Sequence, residues 1–175
     1  GQLVDIEKSI NQIEKNWGTL DILVNNAGVV SASPLDEHTD SDIINQININ
    51  VTGLILMTKK ALPLLKKSKN GALINLSSGL GYIARPFYSV YAASKAAVRQ
   101  FSDAMRRELI TSNIHVMTIY PTATDTPMMK SIARDGMDDP KKIARKSIEA
   151  LENGQINVIF GGAQRFKDIM LNFND

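Results

Sequence analysis

Apolar residues recur at helical spacing over residues 2–17, at Leu3, Ile6, Ile10, Ile13 and Trp17, with charged positions between them. That pattern predicts an amphipathic helix, and Gly18 stands where a left-handed C-terminal cap is placed. Residues 20–24 form a short apolar run bounded by polar and glycine residues, the pattern of a buried strand. A long helical pattern covers 40–66, with Ile43, Ile44, Ile47, Val51, Leu54, Ile55, Thr58 and Leu62 near one face. Pro63 is expected to kink or tighten its last turns. Residues 72–77 read as a second strand, 78–87 as a Gly- and Pro-containing loop, and 88–111 as a helix. A third strand covers 114–120 and closes at Pro121. Residues 122–137 carry no clear period and read as a loop with a short helical turn. Asp138-Asp139-Pro140 marks a helix start and Gly154 its stop. A fourth strand at 156–160 and a last helix at 164–172 complete the chain.

The predicted order is α-β-α-β-α-β-α-β-α. Short apolar strands alternating with helices argue a parallel sheet covered by helices on both faces. No repeat, linker or low-complexity stretch divides residues 1–175, so one domain is expected. In such sheets ligands sit beyond the carboxyl ends of the strands.

Composition narrows the chemistry. Lys plus Arg is 20 against Asp plus Glu 18, a formal net charge of +2. So slight a bias gives no basic field for nucleic acid, and the paired lysines at 59–60, 66–67 and 141–142 fit solvated helix faces. The chain has no cysteine and two histidines, which excludes disulfides, thiol catalysis and a His- or Cys-based metal site. No apolar run approaches the length of a membrane span and no signal peptide opens the chain. A cytoplasmic protein without membrane or nucleic-acid partners is expected.

The strand ends carry the candidate chemistry. The first ends in Asn25-Asn26-Ala27-Gly28, small and amide residues that admit close backbone approach or simply make a turn. The second ends in Ser77-Ser78 before Gly79-Leu80-Gly81, whose hydroxyls serve either a substrate oxygen or the loop's own backbone. These glycines lack the remainder of a dinucleotide fingerprint. In the third helix Tyr91 and Lys95 lie one turn apart on one face. A nearby cation favours the phenolate, so the pair can exchange a proton. The plainer alternative has Tyr91 packing and Lys95 in solvent. The third strand ends in Pro121-Thr122, followed by Thr124, Asp125, Thr126, Pro127 and Met128. The four features fall at consecutive positions of one βα series.

Taken together, Asn25-Asn26-Ala27-Gly28, Asn50 in Asn-Val-Thr-Gly, Ser78, Tyr91-x-x-x-Lys95 and Pro121 through Thr126 make the sequence resemble the short-chain dehydrogenase/reductase family. The resemblance implies a three-layer, Rossmann-like α/β fold and NAD(P)-dependent interconversion of a carbonyl and an alcohol by hydride transfer. It implies that Tyr91 is the general acid or base, that Lys95 lowers the Tyr91 pKa and holds the nicotinamide ribose, and that Ser78 polarises the substrate oxygen. Asn50 would hold a helix kink that feeds a proton-relaying water. Asn25, Asn26, Ala27 and Gly28 would line the adenosine ribose and brace the sheet. Pro121, Thr122, Thr124 and Thr126 would flank the nicotinamide of NAD or NADP. Tyr82, Ile83, Phe87, Tyr88, Met128 and Met129 would ring the pocket for a small carbonyl or alcohol substrate.

Two departures from the family pattern stand out. Many members have Gly where this chain has Thr122. Members also begin with a strand, a Gly-rich turn and a helix that bind the cofactor pyrophosphate, followed by a strand end that selects NAD or NADP. Here the strand before Asn25 is the first. The expectation is therefore an incomplete doubly wound sheet, its first strands missing, carrying the C-terminal catalytic portion and binding dinucleotide weakly or not at all by itself. A competing reading is a catalytically silent fragment acting as a dimerisation or interaction module. The resemblance also implies a homodimer or homotetramer built on helices 40–66 and 88–111, with Ala92, Ala93, Ala96, Ala97, Phe101 and Met105 at the contact.

Overall fold

The computed structural model describes residues 2–132 and 136–172. Helix α1 spans Leu3–Trp17 and ends where Gly18 takes a left-handed φ of 71° and its N–H returns to the Glu14 carbonyl. Strand β1 covers Ile22–Asn25, β2 Gly71–Leu76, β3 Ile114–Tyr120 and β4 Asn157–Ile159, in sheet order β1-β2-β3-β4. Each neighbouring pair is parallel, as the alternation of elements predicts. Helices α2 (Asp40–Ile47), α3 (Leu54–Leu65), α4 (Ser89–Glu108), α5 (Pro140–Glu152) and α6 (Gly162–Asn172) complete the chain. Asp139 caps α5 by accepting from the Lys141 amide at 2.9 Å, ahead of Pro140 at the first turn, so the predicted start signal operates.

The strands bury both faces. On one, Leu73 and Val116 meet Ile10 of α1, Leu64 and Leu65 of α3, and Met105 of α4. On the other, Ile74, Met117 and Val158 meet Ile143 and Ala150 of α5. Successive residues of β2 and β3 thus serve opposite helical layers. No helix among the described residues is long and apolar enough to cross a membrane.

A polar row fixes the strand register. Asn25 pairs with Asn75, and Asn75 with Thr118. The Asn25 amide donates to Asn75 Oδ1 at 2.8 Å and to Thr58 Oγ1 at 2.9 Å, and Asn75 Nδ2 donates to Ser102 Oγ at 2.9 Å. The row therefore ties β1 and β2 to α3 and α4. A one-residue slip leaves these buried amides without partners, each at a cost of about 1–3 kcal/mol.

The predicted single helix over 40–66 is broken by a π-helical stretch, Asn48–Gly53. A π turn inserts one extra residue, which turns the following face by about 100°. Two residues of the predicted apolar face are exposed, Ile44 at 59% and Ile55 at 37%, while Gln46 and Asn50 are buried. Pro63 lies inside α3, which continues only to Leu65. The expected dimer face of α4 divides likewise. Ala92 and Met105 are buried in the chain's own core and Phe101 packs against it, because they lie on the sheet-facing side. Ala93 and Ala97 are exposed.

Candidate active site

Most of the predicted site lies beyond the carboxyl ends of β1, β2 and β3. After β2, the Ser78 hydroxyl caps a 3-10 turn, Gly79–Gly81, accepting from the Leu80 amide at 3.2 Å. That turn lies hard against α4. A Cβ on Gly81 would stand 2.7 Å from Ser77 Oγ and 2.9 Å from the Lys95 carbonyl oxygen. Ser77 Oγ donates to that same carbonyl at 2.8 Å, and Arg99 Nε donates to the Gly81 carbonyl at 3.1 Å. The glycine is there for close approach to α4, not for phosphate binding. It locks the Ser78 turn to the helix that carries Tyr91 and Lys95.

Two adjoining pockets meet at this junction. One, of about 410 Å³, is lined by Asn26, Ser78, Tyr91, Lys95, Thr122, Thr124, Thr126 and Met128, with an apolar floor of Ile74, Ile119, Ile143 and Leu151. The other, of about 250 Å³, is lined by Leu80, Arg85, Tyr88, Ala123 and Gly162. Ser78, Tyr91, Pro121, Thr122 and Met129 belong to both. Tyr91 thus stands on the wall between two compartments.

Lys95 is 5% exposed, and its ammonium donates to the Leu76 carbonyl at 2.9 Å. Burial lowers its pKa to about 8. It sits 5.7 Å from the centre of the Tyr91 ring. Burial raises the Tyr91 pKa, and the Ser78 hydrogen bond only partly opposes this. Loss of hydration thus dominates the Tyr91 pKa, and the Lys95 ammonium is directed to the Leu76 carbonyl. Tyr91 rests as the neutral phenol, the proton-donating form.

Asn50 is buried in the π-helical stretch. Its side chain accepts from the Val29 amide at 2.8 Å, donates to the Val29 carbonyl at 2.9 Å and donates to Ser94 Oγ at 3.0 Å. It pins the segment after β1 to α4, beside Lys95. Gln46 Oε1 holds the same segment through the Ser31 amide at 2.9 Å, and the Ser33 amide donates to the Phe87 carbonyl at 3.0 Å. Phe87 takes a positive φ of 72°.

Asn25 reaches neither pocket. Both its N–H bonds are spent in the interior row, so it braces the sheet. Ala27 also lines neither pocket. Gly28 lies over the site, where a Cβ would stand 3.3 Å from Asn50 Oδ1 and 3.6 Å from Lys95 Nζ. Of the predicted substrate ring, Tyr88, Met128 and Met129 line pockets. Ile83 and Phe87 do not, and Tyr82 turns inward to stack on Tyr120 at 4.7 Å between ring centres. Sequence reasoning did not single out Gln46, Gly81 or Ser94 as positioning residues. All three act through distant partners that spacing along the chain does not reveal.

A family model described as short chain dehydrogenase matches residues 2–136. The chain belongs to the short-chain dehydrogenase family. This short-chain dehydrogenase chain is 39% identical over 150 residues to a 3-amino-tetrahydro-pyrrolizinone reductase of Xenorhabdus hominickii, covering 81% of itself and 51% of that protein. It is 28% identical over 166 residues to a 3-oxoacyl-(acyl-carrier-protein) reductase of Thermotoga maritima, covering 95% of itself and 63% of that protein. It therefore spans between half and two thirds of these relatives' length. A short-chain dehydrogenase from Burkholderia cenocepacia, solved in complex with NADP, superposes with a TM-score of 0.84 at 26% identity, over 95% of this chain and 71% of that one. A 3-ketoacyl-(acyl-carrier-protein) reductase from Brucella melitensis, complexed with NADH, shares the fold at a TM-score of 0.83 and 24% identity, over 92% and 74% of the two chains.

Proposed function

We propose that residues 1–175 form a single Rossmann-like domain carrying the catalytic groups of an NAD(P)-dependent oxidoreductase that interconverts a small carbonyl compound and its alcohol, with Tyr91 as the general acid and base. The observation that carries the reading is Tyr91 on the wall between two pockets, with Ser78 beside it and Lys95 one turn away.

The donor set of the larger pocket fits a nicotinamide ribonucleoside. Lys95 is a buried ammonium whose one hydrogen bond, among the described residues, goes to Leu76, which leaves N–H capacity for ribose hydroxyls. Thr124 and Thr126 offer hydroxyls for a carboxamide, and the Ile74–Ile119 floor suits a flat apolar ring face. Proteins with similar sequence or fold, from Burkholderia cenocepacia and Brucella melitensis, hold NADP and NADH. When bound, the reduced nicotinamide supplies a hydride to the carbonyl carbon.

The chain's own residues handle the oxygen. Ser78 donates a hydrogen bond to it, and Tyr91 gives it the phenolic proton as negative charge builds. Lys95, still protonated near neutral pH, stabilises the tyrosinate left behind. Asn50 keeps Lys95 and the segment after β1 in register throughout. The cleft suits small molecules; the proposal includes a cytoplasmic homodimer or homotetramer, for which exposed Ala93 and Ala97 leave α4 open to close helix contact.

A label test decides the reaction class. Reduced cofactor deuterated at the transferable position is incubated with the protein and a panel of ketones and aldehydes, at cofactor concentrations raised until the rate saturates, to offset the weak dinucleotide binding expected of residues 1–175. Deuterium on the carbinol carbon of a product is expected. A panel that stays unreduced overturns the reading.

A further inference from the structure

Thr122 places a hydroxyl at the end of β3, and that hydroxyl has a dedicated partner. Its Oγ1 donates to Asp138 Oδ2 at 2.7 Å across 16 residues. The other carboxylate oxygen accepts from Lys142 Nζ at 2.9 Å. The Asp138 main chain is committed as well. Its amide donates to the Ala123 carbonyl at 2.9 Å, and its carbonyl accepts from the Asp125 amide at 3.0 Å. Thr124 and Asp138 form a parallel bridge outside the main sheet. One residue thus closes the base of the segment that begins at Ala123.

That segment bears on the site. Met129 lines both pockets and Met128 lines the larger one. The Met128 methyl group stands 3.7 Å from where a Cβ on Gly28 would lie, next to Lys95. Both are flexible thioethers that take the shape their backbone gives them. What fixes that backbone therefore sets how much room remains around Tyr91.

We propose that Asp138 is a positioning residue: by gripping Thr122, Ala123 and Asp125 it holds Met128 and Met129 over the junction of the two pockets. The proposal rests on reading those pockets as cofactor and substrate compartments. A carboxylate that accepts two charge-assisted or short hydrogen bonds is suited to the task, since such bonds are about twice as strong as neutral ones.

The test uses the whole chain labelled at its methionine methyl groups, with Asp138→Asn, Thr122→Val and Thr122→Ser variants. Amide exchange at positions 125 and 138 is expected to accelerate by about tenfold or more in Asp138→Asn and Thr122→Val. The Met128 and Met129 methyl resonances should shift, while those of Met105 and Met117 in the core stay in place. Thr122→Ser, which keeps the hydroxyl, should restore both signals. With a carbonyl substrate, Asp138→Asn should raise KM and leave kcat nearly unchanged. Unchanged exchange and resonances overturn the proposal, as does a shift that spreads equally to Met105 and Met117. Accelerated exchange with KM unmoved also overturns it. A wild-type chain that reduces no carbonyl compound overturns the oxidoreductase reading instead, and the exchange and methyl data still decide the part played by Asp138.

Discussion

Asn50 and Ser94 are joined by a hydrogen bond of 3.0 Å across 44 residues of chain, from Asn50 Nδ2 to Ser94 Oγ. Ser94 passes the link on by donating to the Tyr91 carbonyl at 2.7 Å. The π-helical stretch and the helix that presents Tyr91 and Lys95 are therefore one mechanical unit. Both side chains are almost fully buried, Asn50 at 1% and Ser94 at 0% exposed.

Asn50→Ala removes three hydrogen bonds and strands the Val29 amide and carbonyl. The expected loss of stability is about 2–4 kcal/mol by denaturant titration. Ser94→Ala should cost about 1 kcal/mol, since Asn50 keeps both bonds to Val29. The two should be non-additive by more than about 0.5 kcal/mol. If Ser94→Ala costs the same with or without Asn50, the two residues are not coupled.

Lys95 costs stability where it is charged. Its folded pKa of about 8 lies below the ordinary 10.5. Below pH 8 both the folded and unfolded chains carry the proton, and the folded state bears the full cost of burying the ammonium. As pH rises from about 8 through 10.5 the unfolded chain binds more protons than the folded one, so stability increases over that window. The burial penalty is about 3 kcal/mol, and removing Lys95 recovers less than this because the Leu76 carbonyl loses its partner. Lys95→Met is expected to raise the melting temperature at pH 7 while abolishing turnover. The stability gain should shrink above pH 8. A lower melting temperature at pH 7 contradicts this.

The same value sets a kinetic limb. In the reductive direction kcat/KM should be flat through neutral pH and fall as pH rises through about 8, when Lys95 loses its charge. Tyr91, raised by burial, keeps its proton to higher pH and adds its own loss only beyond the ordinary phenol range. The limb reports the free enzyme. A profile that stays flat to the phenol range removes Lys95 from the electrostatics of the proton donor.

Gly81→Ala tests the clamp between the Ser78 turn and α4. The added methyl would meet main-chain atoms of Lys95 at 2.9–3.1 Å, and a backbone neighbour cannot swing aside. A loss of about 1–3 kcal/mol is expected, with a fall in kcat because Ser78 and Lys95 move apart. Wild-type stability and rate in this variant rule out the tight approach.

Much of this is legible in the sequence. The strand 114–120 and the helix beginning near residue 89 follow from periodicity, and Asp139-Pro140 marks its helix start by cap chemistry. Asn26, Ser78, Thr122 and Thr124 line the larger pocket from just past the strand ends, which sequence order alone places on one edge of the sheet. Apolar spacing through Asn48–Gly53 is the same for one straight helix and does not reveal the π-helical stretch; the family resemblance at Asn50 alone implied a kink there. Asn25 sits next to Asn26 in the chain, yet only pairing with Asn75 shows that one faces the interior and the other the pocket. The net rise of the Tyr91 pKa was not legible because burial is a tertiary quantity, absent from the Tyr-x-x-x-Lys spacing.

The central claim is that Tyr91 delivers the proton to a carbonyl oxygen. It is tested most directly by comparing the wild-type protein with Tyr91→Phe in a single assay that follows loss of reduced-cofactor absorbance with a reducible ketone. Phenylalanine fills the same space and removes only the hydroxyl. A drop in kcat of about a hundredfold to ten-thousandfold is predicted, with the melting temperature essentially unchanged. A Tyr91→Phe protein that reduces the ketone at the wild-type rate contradicts the assignment.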